Sequence, residues 1–448
     1  MKVKLNLKKV ILVSLIFAAL DTMWTLYNSY VPIYLQAGSS LFNTDPGVLG
    51  FGFSAAATGV ILSLGNAISM VLKPFIGVLS DTSKSKMGRR MPFVVFGMPF
   101  MVIALIVMAL MPEMIPSQLN GATSQLSGYL IPFLAALVVL LIAYPVMLGP
   151  GRVMLFDIVT SEQRVSANSV SQVLNGFVSM VVIFGGAALY AIYRPLPMWV
   201  AAGFILIAVI LVWRTVKEPT AGDQASPEKS TSFKEILHTL RTLPRDDSKS
   251  LIFFSLAHFF SLLGLAVGTS FVTSYTVTVL GVSAGLASTL MVIIPITCLL
   301  VAVPAGMLAN RFGRKPIMMI GAAICMLSVL LIWSIASMVV LCIILVTFSI
   351  GFMFIAISTV PMAADLSPSE KYIGTYVSLT ALFGSLGPVV GPVLGGWLVG
   401  VLGNSYTAIW PVMAAIFCLT FLAFIPVTRG EVKKEFAEAQ PVTSPDLP

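Results

Sequence analysis

The residues that can do chemistry in this chain are few, and the first of them stands where a charge is costly. Asp21 sits within the apolar run "FAALDTMWTLYNSYVP", and Trp24, Thr25 and Asn28 follow it at i+3, i+4 and i+7, one face of a helix. A charged side chain turned to lipid at mid-bilayer costs ~2.5–3.5 kcal/mol on insertion scales, so this polar stripe is expected to face a water-filled interior. A desolvated carboxyl there can take up and release a proton near neutral pH. The plainer alternative is a structural carboxyl, hydrogen-bonded to a neighbouring helix. Asn168, Ser171, Gln172 and Asn175 repeat the same spacing in a later run. Amides both donate and accept, which suits a polyhydroxylated ligand, although they also join helices inside membranes. Trp24 offers a face on which a sugar ring can stack, with Tyr27 beside it, and either suits packing equally well. His258, with Ser261, continues a weaker polar face; it can touch a solute, relay a proton or sit neutral in the core.

The elements that carry these residues follow from composition. The chain has 448 residues, 58% hydrophobic and 10% charged, far outside the range of ordinary soluble domains. Twelve apolar runs are long enough to cross a hydrocarbon core of ~30 Å. Their cores are 10–36, 50–73, 92–112, 128–149, 165–190, 197–216, 250–279, 284–308, 316–334, 337–360, 373–401 and 406–427. Lipid leaves backbone groups unsatisfied unless the segment bonds internally, so each run is expected to be a helix and the chain an all-α integral membrane protein. With the N-terminus placed in the cytoplasm, every Lys and Arg except Arg194 falls on that side or at its boundary. This is the positive-inside bias; it accounts for the net charge of +8 without nucleic acid and predicts a cell-membrane protein with both termini cytoplasmic. The opening "MKVKLNLKKVILVSLIFAAL" has a signal-like start, but its helix continues without a convincing cleavage site, so an uncleaved first span is expected. Cys298, Cys325, Cys342 and Cys418 all fall within spans and read as packing residues.

The polar stretch between Lys217 and Lys249 divides six spans from six. Three echoes in the same order point to a repeat: "LIFAAL" and "LIFFSL", "GVLSD" and "GMLAN", "DIVTSE" and "DLSPSE". The predicted organisation is a six-helix bundle over 1–216, a linker over 217–249, a second six-helix bundle over 250–428 and a solvated tail over 429–448. The eleventh run, "GSLGPVVGPVLGGWL", spaces Gly384, Gly387, Gly391 and Gly395 for close helix packing, with Pro388 and Pro392 removing backbone donors.

Between the second and third runs lies "GVLSDTSKSKMGRRMP", and after the eighth "GMLANRFGRKP". An acid near a helix end followed by a basic cluster can form an ion-paired clamp at the membrane surface, beyond merely holding the loop inside. This paired loop resembles the signature of the major facilitator superfamily. The longer first copy, Asp81 to Ser85 with Gly88, Arg89, Arg90 and Pro92, is similar to the glycoside-pentoside-hexuronide cation symporters and the sucrose-type proton symporters. "LGPGRVMLFDI", with Gly149, Pro150, Arg152 and Asp157, followed by Gln163, Arg164, Ala167 and Asn168, resembles the sucrose-type stretch. The resemblance implies two pseudo-symmetric six-helix bundles rocking about a central solute. Asp81, Arg89, Arg90, Arg152, Asp157, Arg164 and Arg314 are then expected as a cytoplasmic gate. Sodium-coupled relatives carry acids in spans two and four and sucrose-type relatives one in span four; this chain has none there within the bilayer, so sodium coupling is not expected and proton coupling depends on Asp21 serving from a different address, in span one.

No phosphate-binding Gly-rich loop, metal-spaced cluster or nucleophile elbow occurs, so neither an ATP-driven motor nor an enzyme is expected, and no cofactor or metal is called for. The expected activity is proton-coupled uptake of a small polar solute, a sugar or glycoside, by a monomer in the lipid bilayer. Trp24, Tyr27, Asn28, Asn168, Gln172, Asn175 and His258 are the expected solute contacts. A proton-driven exporter of drugs or metabolites and an uncoupled facilitator remain as alternatives. The fifth run lacks the proline-bearing string of drug antiporters, which counts against export.

Overall fold

The computed structural model describes residues 6–39, 42, 48–83, 85–159, 163–216, 245–367, 373–403 and 405–428. The predicted tail and most of the predicted linker lie outside these residues. The described chain contains twelve helical spans of membrane-crossing length. The first half comprises α1 (Leu7–Gln36), α2 (Ala55–Thr82), α3 (Met91–Glu113), α4 (Ser127–Asp157), α5 (Arg164–Ile192) and α6 (Leu196–Thr215). The second comprises α7 (Arg245–Thr278), α8 (Ala284–Leu290), α9 (Ile293–Phe312), α10 (Arg314–Ser334), α11 (Met338–Asp365), α12 (Ile373–Val401) and α13 (Ile409–Phe424). Helices α8 and α9 form one span, broken at Met291 and Val292, where Pro295 cannot supply the amide that the Met291 carbonyl would take.

Several helices outrun the apolar stretches that announced them. Helix α7 starts at Arg245, inside the predicted linker. Helix α2 continues past residue 73 to Thr82, α4 past 149 to Asp157, and α11 past 360 to Asp365. Hydropathy marks the lipid boundary, whereas a helix whose inner face remains packed continues into the aqueous layer. Those extra turns carry Asp81, Asp157 and Asp365.

Helix packing repeats between the halves. In the first, α1 packs on α5 and α6, α3 on α4 and α6, and α2 on α4. In the second, α7 packs on α12 and α13, α10 on α11 and α13, and α9 on α11, the same pairs in the same order. Two hydrophobic cores result, one drawn almost wholly from α1 to α6 and the other from α7 to α13. The main cross pairs are α2 with α12 and α5 with α8 and α9, and α1 also meets α7 and α8. Outward-facing rows such as Val60, Leu64, Val71, Phe75 and Val78 of α2 are exposed and apolar, the surface that lipid requires.

Helix α12 is built for two neighbours at once. Cβ atoms added at Gly387 would meet the Leu263 amide at 2.6 Å and the Phe259 carbonyl at 2.9 Å, and at Gly391 the Ala266 Cβ at 2.6 Å, so the glycine stripe is what admits α7. The opposite side of α12 meets α2. Pro392 has no N–H, which leaves the Pro388 carbonyl without its helical donor; Asn66 Nδ2 of the other half fills that vacancy at 3.0 Å. Further along, Gly59 abuts the Pro392 carbonyl and Gly396 abuts the Ala55 carbonyl. On the face away from the termini, the Tyr406 hydroxyl donates to Gln36 Oε1. These cross-half contacts therefore run from mid-span to the face opposite the termini.

Candidate functional site

Midway along α1, Asp21 is held from two directions. Asn175 Nδ2 of α5 donates to its Oδ2 at 2.6 Å, and Arg152 Nη2 of α4 lies 3.9 Å from its Oδ1. The two stripes read from the sequence thus converge, because a helical spacing of three and four presents Asp21 and Asn175 toward each other across the contact between α1 and α5. Thr25 does not extend the polar face; its Oγ1 donates back to the Asp21 carbonyl at 2.8 Å.

Beside this group lies a cavity of about 240 Å³, lined by Phe17, Arg152, Leu155, Asn168, Ser171, Gln172 and Asn175. All seven come from the parts of α1, α4 and α5 nearer the terminus-bearing face, so the cavity opens that way. Arg152 has 59% of its side chain exposed in it, against 27% for Asp21 one turn deeper than Phe17. Asn168 and Gln172 are exposed there as well. Asn175 Oδ1 is buried and has no hydrogen-bond partner among the described residues. A larger groove of about 520 Å³ between α3 and α4, with Phe93, Phe96 and Phe100, offers no polar group to orient a solute.

The other expected contacts take different places. Trp24 is sandwiched between Tyr27 and Tyr144, at ring-centroid distances of 4.9 and 4.6 Å. Tyr27 is 1% exposed and stands behind Trp24, where it packs in an aromatic ladder filling the space inside α1. Asn28 is half-buried, a turn beyond this ladder. His258 is on α7, where its ring edge fits the gap at Gly384 of α12; its Nδ1 has no partner among the described residues. It does not line the cavity of the first half.

The expected gate charges separate into three groups. Arg90, 5% exposed, donates Nη1 to Ser80 Oγ at 2.7 Å and Nε to Asp157 Oδ2 at 3.3 Å, and pairs through Nη2 with Asp81 Oδ1 at 2.6 Å. Arg89 adds a longer contact to Asp157, 3.7 Å. In the second half Arg314 pairs with Asp365, and Lys315 Nζ donates to the carbonyls of Ile425 and Val427 at 3.0 and 2.7 Å. Gly88 and Gly313 precede these basic pairs at φ 104° and 95°, a backbone that favours glycine in both copies of the loop. Each ion pair lies within its own half. Arg152 leaves the gate group altogether, since its helix position, five residues before Asp157, points it into the cavity at Asp21. The Arg164 side chain lies outside the described residues. On the opposite face, Arg194 pairs with Glu113, Nη1 to Oε2 3.4 Å.

One charged residue escaped the sequence reading. Lys73 was counted as a flanking base because the second apolar run was ended there; with α2 continuing to Thr82, it lies inside the span. The signal was its spacing: Asn66, Ser69 and Lys73 stand at i, i+3 and i+7.

The sequence profile of the Major Facilitator Superfamily matches residues 13–294 and 254–445, almost the whole chain. The chain belongs to the Major Facilitator Superfamily. It is a multi-pass membrane transporter of that superfamily, and its relatives are transporters too. It is 27% identical over 172 residues to the sucrose transport protein SUC3 of Arabidopsis thaliana, covering 37% of this chain and 27% of that protein. It is 34% identical over 103 residues to the uncharacterized symporter YnaJ of Bacillus subtilis (strain 168), covering 22% of this chain and 20% of that protein. Both matches therefore span less than a third of the relatives' own length. Among solved structures, the nucleoside transporter NupG superposes with a TM-score of 0.68 at 16% identity, over 94% of this chain and 99% of that one. A D-xylose-proton symporter superposes with a TM-score of 0.67 at 18% identity, over 95% and 99%. At such identities the likeness is one of fold: two six-helix bundles of the facilitator type.

Proposed function

We propose that this transporter couples uptake of a small polar solute, a sugar or glycoside, to proton entry at Asp21 by alternating access. The observation that carries the reading is the Asp21 carboxylate at mid-span, tied to Asn175 and near Arg152 at the inner end of a polar cavity. When ionised, the carboxylate accepts from Asn175 and keeps Arg152 close. Protonation removes that charge, so Arg152 is released to the cavity and its bond network must rearrange. The cost of carrying a charged group through the barrier then differs between the loaded and unloaded states, which is what coupling requires. The amides of Asn168, Gln172 and Asn175 supply paired donors and acceptors for hydroxyl groups.

The positive-inside bias favours cytoplasmic termini, so the cavity faces the cytoplasm and the seal from Asn66 to Tyr406 faces outward. Opening the outer side means breaking that seal while the two halves, each internally bonded, rock as bodies. Arg90 and its partners act in this scheme as stiffeners of the first bundle. The likeness to a sucrose transport protein over part of the chain supports a sugar.

Proteoliposomes given an inward proton gradient and labelled sucrose, glucose or xylose test the proposal. Accumulation above equilibrium, lost in Asp21→Asn, is the expected result. Equilibration without accumulation would leave an uncoupled facilitator, and gradient-driven efflux of hydrophobic cations without sugar uptake would replace the reading with export.

A further inference from the structure

Span eight is made of two pieces, and its outer piece packs mainly on the other half. Helix α8 lies between two joints: Gly281, with φ 66°, on one side, and Met291 with Val292 on the other, where Pro295 withholds the amide that would continue the helix. Its small residues Ala284, Gly285, Ala287 and Ser288 allow close approach to α5, on which α8 packs more extensively than on α7 of its own half. A Cβ at Gly285 would stand 3.5 Å from Tyr190 Cδ1 and 3.6 Å from the Ala187 carbonyl, both of α5, and the Tyr190 ring stacks on Tyr30 of α1 at 4.8 Å. Ala284 and Ala287, each 1% exposed, belong to the hydrophobic core of the first half, whereas Leu290, beside the break, belongs to the core of the second. Core membership thus changes within one turn of the joint. Val277 of α7 reaches the first core as well, but α7 runs unbroken into the second half and must carry Val277 away with it.

Were α8 and α9 one rigid helix, opening the outer face would pull α8 off α5. A break between them can absorb the motion by backbone rotation and leave the packed face of α8 where it is. At the other seam, α2 and α12 are continuous through their contact, with no such joint in either helix. We propose that α8 is a jointed strap carried by the first bundle: as the outer face opens, α8 stays on α5, span eight bends at Met291 and Val292, and the halves part along α2 and α12. This rests on the reading of the two halves as rocking bodies, and it divides the moving parts at the break within span eight instead of at the loop before it.

Spin labels placed in pairs on the purified full-length transporter test the inference, at three exposed outer positions: Leu286 on α8, Ile192 at the end of α5 and Leu402 just past α12. Distances are compared between wild type and Gly59→Val, whose added side chain would meet the Pro392 carbonyl and drive α2 from α12. The distance from Ile192 to Leu402 is expected to lengthen, while that from Leu286 to Ile192 stays within its wild-type distribution. Pro295→Ala returns the missing amide and makes span eight continuous, so adding it to Gly59→Val is expected to lengthen the distance from Leu286 to Ile192 as well. If Leu286 leaves Ile192 in step with Leu402 while Pro295 is in place, the strap is overturned and the rocking bodies stand. If neither distance changes in Gly59→Val, the rocking scheme falls and the strap with it. A distance from Leu286 to Ile192 that stays short with Pro295→Ala added overturns the assignment of the break as the joint.

Discussion

Asn66 completes the hydrogen bonding of Pro388 across the two halves of the molecule. The Pro388 carbonyl lost its helical donor to Pro392, and the amide of Asn66 supplies the replacement at 3.0 Å. A defect inside one helix thereby becomes an adhesive point between bundles, present only while α2 and α12 touch.

That bond stabilises the state with the far face closed, by about 1 kcal/mol for a typical hydrogen bond. Asn66→Ala is expected to shift the population about fivefold toward the opposite opening, read as a longer distance between spin labels at the far ends of α2 and α12. Pro392→Ala restores a donor within α12, so in that background Asn66→Ala is expected to shift the distances much less. Equal effects of Asn66→Ala in both backgrounds would show that the carbonyl vacancy is not what Asn66 serves.

Asp21→Asn keeps the size of the side chain and its reach to Asn175 while removing the ionisable group. Proton-driven accumulation is expected to fall to the equilibrium level, while exchange of solute between two equally loaded sides of the membrane persists within a few-fold. Exchange isolates binding and rocking from coupling. Loss of exchange together with accumulation would instead assign Asp21 to solute binding or to folding.

How much of this was legible in the chain differs by residue. Asp21 and Asn175 announced themselves through helical spacing within apolar runs, and the structure brings them to 2.6 Å. Span number and the repeat were equally readable, since lipid permits few alternatives to a helix. Arg152 was grouped with the surface charges because it stands past the apparent end of the fourth apolar run, in the stretch that resembles the sucrose-type loop; only the course of α4 shows it directed at α1. Lys73 was hidden by the same ambiguity, a base at the apparent end of an apolar run being indistinguishable from a topological anchor. The service of Asn66 to Pro388 is a contact between residues far apart in sequence, and no local pattern encodes it.

Burial separates the two surface clamps. Arg90 is nearly inaccessible and meets Ser80, Asp81 and Asp157, so Arg90→Ala breaks a largely buried three-way clamp and leaves Asp157 with the longer Arg89 contact, which is expected to cost about 3 kcal/mol. Arg314 and Asp365 keep 22% and 33% of their side chains exposed, and Arg314→Ala is expected to cost no more than about 1 kcal/mol. Melting in detergent, monitored by intrinsic fluorescence, ranks them. Arg90→Ala should melt well below Arg314→Ala, and transport at low temperature should survive in the latter.

Two glycines of similar crowding carry opposite expectations. Gly387 faces α7 inside the second half, where a Cβ would stand 2.6 Å from the Leu263 amide, so Gly387→Val forces apart helices that must stay packed and is expected to destabilise by about 1–3 kcal/mol. Gly59 faces the Pro392 carbonyl across the boundary between halves, and the clash of Gly59→Val is relieved simply by opening the far face. Gly59→Val is therefore expected to melt near wild type, yet to hold the far face open and slow transport at least several-fold. Spin-label distances across the far face, measured beside the melting curve, decide it: a variant that melts early with its far face still closed would mean that α2 and α12 stay pressed together in every state, and that the halves do not rock about this contact.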